Sequence, residues 1–234
     1  MFIGKIVKSD SHINYVCQIY GPREMEVVPG PADYAFGRMV RVAVRSSQGD
    51  DPDTALGVML GRSQEPVTYA IGVIYDTILL NPAFGSLGPR LSNETQVELF
   101  SPDYISEKAV LIYVMVLGMM ELRQSAGAAM EVLSTMHGVP LLSLELGSEI
   151  ETMTDEEVRA FHFFSDPAPT GPDSQNAYLH MGYLPHIIAQ RSSLLPMVTL
   201  GIIDQLERLF PENLAVLSIV KRNFAWRLKV ETTG

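Results

Sequence analysis

Leu91-Ser-Asn-Glu-Thr-Gln-Val-Glu-Leu-Phe-Ser-Pro-Asp-Tyr-Ile105 divides the chain, because apolar residues recur at a strand-like period before it and at a helix-like period after it. Ser101 suits a helix N-cap. Pro102 falls at the first helical position, where no N–H is needed, and Asp103 in the first turn, where the helix dipole favours a carboxylate. The stretch therefore reads as a hinge at which a strand ends and a helix begins. It separates a β domain, residues 1–100, from a mainly helical domain, residues 101–234, that closes with a terminal strand.

Working back from the hinge, one pattern keeps returning: a glycine, a variable residue, then two large and mostly apolar residues. It occurs as Gly4-Lys-Ile-Val, Gly37-Arg-Met-Val, Gly57-Val-Met-Leu and Gly72-Val-Ile-Tyr. Between Phe36 and Arg45, the residues Phe36, Val40, Val42 and Val44 share one face and Arg41 and Arg45 the other, the alternation of a half-buried strand. Leu56, Val58 and Leu60 alternate in the same way. Tyr69 to Ile78 is long enough for a bent strand, with Gly72 as the place for a bulge or tight coil. Turn formers at Gly21-Pro22, Pro29-Gly30-Pro31, Ser46 to Pro52 and Asn81 to Pro89 punctuate these segments. Short strands with glycine corners predict a small antiparallel β-barrel, in which closure removes exposed edges.

The glycine-apolar repeat, with Gly37-Arg-Met-Val-Arg-Val-Ala-Val, Gly57-Val-Met-Leu and the closing Thr95-Gln-Val-Glu-Leu-Phe-Ser-Pro-Asp-Tyr-Ile, resembles the HAS-barrel, the N-terminal β-barrel of HerA-type DNA translocases and ATP synthase subunits. The resemblance covers about residues 2 to 105. It implies an assembly or docking module, since in those families the barrel packs beside its copies as a crown on a hexameric ATPase. Their P-loop domain has no counterpart here, because no Gly-Lys-Ser or Gly-Lys-Thr follows Gly85-Ser-Leu-Gly88 or any other glycine-rich piece. ATP hydrolysis is therefore not implied.

After the hinge, Ser106 to Leu122 reads as an apolar helix and Ser125 to Met136 as a shorter one, ended by Gly138 and Pro140. Leu144 to Val158 resembles the hinge again, either as a repeat of one strand-to-helix unit or as an unrelated strand end with an acidic first turn. Ser165 to Asn176 contains three prolines and reads as an exposed loop. Helical spacing returns in Tyr178 to Arg191, with Pro185 as a boundary or kink, and in Leu195, Val198, Ile202, Leu206 and Leu209. Pro211 ends that helix, and another runs through Leu214, Leu217 and Val220. Finally Phe224, Trp226, Leu228 and Val230 alternate with polar or small residues, which predicts a terminal strand that pairs with the edge of the first-half barrel or, the better reading, with the short strand near Ile150. The expected class is thus α+β, with an N-terminal barrel followed by a mainly helical domain with a few short strands.

Composition narrows function further. Seventeen Lys and Arg face 27 Asp and Glu, a net charge of −10 that disfavours direct nucleic-acid binding. Cys17 is the sole cysteine, so neither an intrachain disulfide nor a cysteine-based zinc site can form. Met1 to Asp10 is broken by charge and lacks the apolar core of a signal peptide, so a cytoplasmic protein is expected. Ala109 to Met120, the most membrane-like run, is twelve uncharged residues, whereas a spanning helix needs about 20.

Candidate chemistry is sparse. His162, His180 and His186 with Asp166 and Asp173 invite a metal, but the spacing matches no helical two-histidine motif, and a structural or surface role is the better reading. Cys17 sits in an alternating segment with no activating neighbour, which suits a buried thiol. Asp103, Glu107, Asp155, Glu156 and Glu157 are explained by helix starts. No residue is assigned a catalytic, cofactor-binding or metal-binding role, and no cofactor is expected. Two functions follow. The first is a non-catalytic interaction or assembly module, an accessory subunit whose partner is another copy or a separately encoded hexameric translocase. The second is an enzyme of unrecognised type with its site in the cleft between barrel and helices.

Overall fold

A computed structural model describes residues 1–44, 66–80, 109–124, 130–164, 178–190 and 192–233. Among these residues seven strands form one antiparallel sheet: β1 (Phe2–Ser9), β2 (Asn14–Ile19), β3 (Met39–Ala43), β4 (Val67–Leu80), β5 (Ala109–Gln124), β6 (Met130–His137) and β7 (Glu149–Thr152). Their order is β2-β1-β7-β3-β4-β5-β6. The long strand β5 also pairs with β2, from Asn14 opposite Met115 to Gln18 opposite Leu111. That pairing closes six strands into a ring and leaves β6 attached to β5 outside it. A two-stranded ribbon, β8 (Phe163–Phe164) with β9 (Tyr178–Leu179), stands apart. The described helices are α1 (Asp155–His162), α2 (Leu184–Ala189), α3 (Leu195–Leu209) and α4 (Leu214–Thr233), with a 3-10 turn at Pro211–Asn213 before the last.

Two hydrophobic cores lie on opposite faces of the ring wall. The first takes residues from all six ring strands, among them Ile3, Tyr15, Cys17, Val40, Ile74, Val114 and Ile150, and so fills the interior. The second joins the outer face, through Met39, Ile71, Val73, Met115 and Leu117, to the helices, through Val158, Phe161, Ile187, Val198, Ile202 and Leu206. Each fully buried aliphatic side chain contributes about 1.5–3 kcal/mol relative to exposure. A strand between two such cores must be apolar on both faces. This is what β5 is, with Ile112, Val114 and Val116 inward and Met115 and Leu117 outward.

Gly72 behaves as its sequence position suggests. The β4–β5 ladder shifts register between Ile71 and Gly72, leaving Leu117 as an extra residue on β5. A Cβ at Gly72 would lie 2.6 Å from Val114 Cγ1, so only glycine lets the two strands approach here.

Several expectations are corrected. The helix read over Ser106 to Leu122 is strand β5 from Ala109 onward, and the helix read over Ser125 to Met136 is strand β6 from Met130 onward. The apolar run was long enough for a helix, but it carries a β-branched residue at every second position from Val110 to Val116 and is buried on both sides. Strands from either side of residue 100 therefore share one sheet, which is not confined to residues 1–100. In the Phe36 to Arg45 strand, Val40 and Val42 point into the ring and Val44 packs against the same core, but Phe36 precedes the strand and is 49% exposed.

Phe224 to Val230 is no strand; it belongs to the 20-residue helix α4. The strand near Ile150, β7, is paired on one edge with β1 and on the other with β3, so it had no edge to offer. Strand β7 followed by α1 does reproduce the strand-to-helix step expected at Leu144 to Val158. The hinge at Leu91 to Ile105, the alternating Leu56, Val58 and Leu60, and the proline-containing loop Ser165 to Asn176 lie outside the described residues. Pro185 opens α2, and Pro211 separates α3 from α4.

Candidate functional site

Helix α1 is fixed at both ends, and the buried His162 and Tyr183 lie at its C-terminal end. Thr154 caps its start: the side chain accepts from Glu157 N, and the Glu157 side chain accepts from Thr154 N at 2.8 Å, a reciprocal capping box. Glu157 also pairs with Arg41 of β3, whose guanidinium reaches Glu151 of β7 at 2.9 Å and stacks over the Tyr69 ring at 4.7 Å. One arginine thus ties two neighbouring strands and the helix start together. Asp155, Glu156 and Glu157 occupy the first turn, as expected from the dipole.

At the other end of α1, His162 is completely buried. Its Nδ1 lies 2.7 Å from the carbonyl of Val158 and must donate, because a carbonyl only accepts. Its Nε2 is then the acceptor for the hydroxyl of Tyr183, at 2.7 Å. His137, the last residue of β6, shows the opposite tautomer. Gly182 N–H donates to Nδ1 at 3.1 Å, so Nε2–H donates to the Phe161 carbonyl at 2.9 Å. His180 stacks on His137 with ring centroids 4.5 Å apart and 15° between planes. Phe161 and Tyr183 complete the aromatic packing around His137, at 4.3 and 5.2 Å. A Cβ at Gly182 would come within 2.7 Å of the His180 ring, which would have to shift from its place against His137.

Burial is the main cause of the electrostatics. It pushes His162 down to about 3, against the opposing hydrogen bond to Val158, and His137 down to about 4, against the bond to Phe161. Burial also raises the Tyr183 phenol well above its usual range. Both histidines are therefore neutral at neutral pH, each with its tautomer set by backbone groups. A general base needs a lone pair facing a reactant. Here the lone pair of His162 faces Tyr183 and that of His137 faces Gly182, so both are committed to the fold.

Of the residues singled out in the sequence, His162 and His180 are brought together, whereas His186 turns to the carbonyl of Val116, 3.1 Å from its Nε2. Asp166, Asp173, Asp103 and Glu107 lie outside the described residues. Cys17 is buried in the ring interior, and burial pushes its thiol up to about 12. Among the described residues no group of three or more His, Cys, Asp or Glu is arranged to hold a metal ion. No described helix is long and apolar enough to cross a membrane. His137 and Tyr183 had no signal in the sequence, because their neighbours come from β6, α1 and the segment before α2.

Fold and site together define a mixed α and β protein, with a ring-closing antiparallel sheet and a histidine–tyrosine cluster held in structural hydrogen bonds. The chain belongs to the family described as Domain of unknown function (DUF8166), which matches residues 1–233. No curated protein matches it.

Proposed function

We propose that this protein is a non-catalytic assembly module, a HAS-type barrel with a helical flank, acting as an accessory subunit of a separately encoded hexameric P-loop DNA translocase in the cytoplasm. The single observation that carries the reading is the double pairing of β5, with β4 on one edge and β2 on the other, around an interior packed with apolar side chains. A closed, filled ring offers its outer surface for function. That use fits the resemblance carried by the glycine-apolar repeats. The excess of 27 carboxylates over 17 Lys and Arg favours protein over nucleic acid as the partner.

The test is to isolate the tagged full chain from native cells, determine its assembly mass and identify what accompanies it. A stoichiometric P-loop ATPase, or a multimer of the chain on such a ring, is the expected result. A monomer that brings down no ATPase overturns the translocase reading.

The enzyme reading, with a site between sheet and helices, has one observation in its favour: His137, with its lowered pKa, ends β6 against α1. Both its ring nitrogens, however, are engaged with Phe161 and Gly182.

A further inference from the structure

Helix α4 has two apolar faces, of which the fold uses one. Leu217 is fully buried, Val220 packs on the same core, and Lys221 is tied to Asp204 and, at 2.8 Å, Glu207 of α3. On the opposite side Val216, Ile219 and Trp226 are 56, 59 and 68% exposed, and Asn223 between them is exposed as well. Along the helix these four positions are spaced three, four and three residues apart, the spacing of a coiled-coil seam. Asn223 stands where a single polar residue in such a seam fixes register and partner.

The charge of the same stretch says what would cover it. Besides Lys221, which α3 already holds, residues 216–230 contain Arg222, Arg227 and Lys229 and no Asp or Glu, in a chain of net charge −10. Arg222 is exposed next to Asn223. Two copies of α4 laid together would bring like charges face to face. An anionic lipid surface would attract α4 but repel the acidic remainder of the chain.

We propose that the Val216–Ile219–Asn223–Trp226 face of α4 is the docking seam for an acidic amphipathic helix of a partner protein. That helix would place apolar residues at heptad spacing on the seam and Glu or Asp along its flanks. The proposal rests on the assembly-module reading only in supposing that a partner exists, and it names the chemistry of that partner's contact.

Trp226 is the chain's only tryptophan, so its emission reports the seam directly. The full chain is titrated with two synthetic helical peptides that share one apolar heptad pattern, one flanked by Glu and the other by Lys. The Glu peptide is expected to blue-shift Trp226, to bind at least about tenfold more tightly than the Lys peptide, and to weaken as salt is raised. Arg222→Glu should erase most of that preference. Ile219→Asp should abolish binding without moving the melting temperature, because Ile219 is exposed.

Equal affinity for the two peptides overturns the proposal. So does a blue shift that appears with chain concentration alone and is lost in Ile219→Asp, which would make a second copy the occupant. A blue shift on anionic vesicles with no peptide discrimination overturns it in favour of a membrane. Peptide discrimination without any ATPase recovered from cells would remove the translocase reading and leave the seam standing. An ATPase recovered equally well by Ile219→Asp would remove the seam and leave the module.

Discussion

The hydroxyl of Tyr183 donates to Nε2 of His162 at 2.7 Å, and both side chains are fully buried. Tyr183→Phe leaves the His162 nitrogen as a buried acceptor with no donor, which costs about 1–3 kcal/mol. The urea midpoint should fall accordingly. In a double-mutant cycle, His162→Phe combined with Tyr183→Phe should lose less than the sum of the single losses, since the pair is removed together. Additive losses would show that the bond contributes nothing.

The same cluster gives a pH dependence whose sign is fixed. Unfolded histidine titrates near 6.5, whereas His137 and His162 are held down to about 4 and about 3. Below the unfolded value the unfolded chain binds protons that the native protein refuses, so stability present above it is lost as pH falls through the folded values. The double variant His162→Phe/Tyr183→Phe should show a flatter decline over that window than the parent. Parallel declines measured by urea denaturation would remove His162 as a cause.

Arg41→Met should destabilise strongly. Glu151 and Glu157 are only 16 and 15% exposed and would be left facing one another without their shared cation. Breaking such a pair from one side typically costs about 3–5 kcal/mol. Arg41→Lys should recover only part of this, because an ammonium cannot fork between two carboxylates while stacking on Tyr69. Thermal melts of the two variants check the order; equal stability would refute it.

Two glycines should respond in opposite directions to alanine. At Gly72 a methyl group meets Val114 Cγ1 at 2.6 Å and the Met115 carbonyl oxygen at 3.0 Å, so Gly72→Ala is expected to cost on the order of 1–3 kcal/mol. At Gly201, inside α3, nothing lies within 4 Å, and Gly201→Ala should stabilise by about 0.5–1 kcal/mol. Denaturant midpoints moving the same way in both would contradict the close approach of β4 and β5.

Local patterns were legible in several segments of which one face meets water. Val40 and Val42 alternate because Arg41 between them points away from the ring interior. The apolar spacing of α3 is visible because its Asp204 and Arg208 lie toward solvent. Pro211 and Gly72 act through the backbone and keep their meaning in any fold.

What the sequence could not decide is the state of segments whose surroundings are supplied from elsewhere. Strand β5 is apolar throughout because alternate residues enter two different cores, and burial on both sides erases the period that would tell strand from helix. Phe224 to Val230 alternates like a strand, yet it continues α4, because β7 has both edges occupied while Leu217 and Val220 already seat the helix on the core. His162 and His180 could be noted as histidines, but their meeting with His137 and Tyr183 is made by the packing of β6, α1 and the start of α2. Sequence determines what each short segment can bury; only the tertiary structure, by deciding how many of its faces are covered and which edges are free, determines which of those possibilities has the lower free energy.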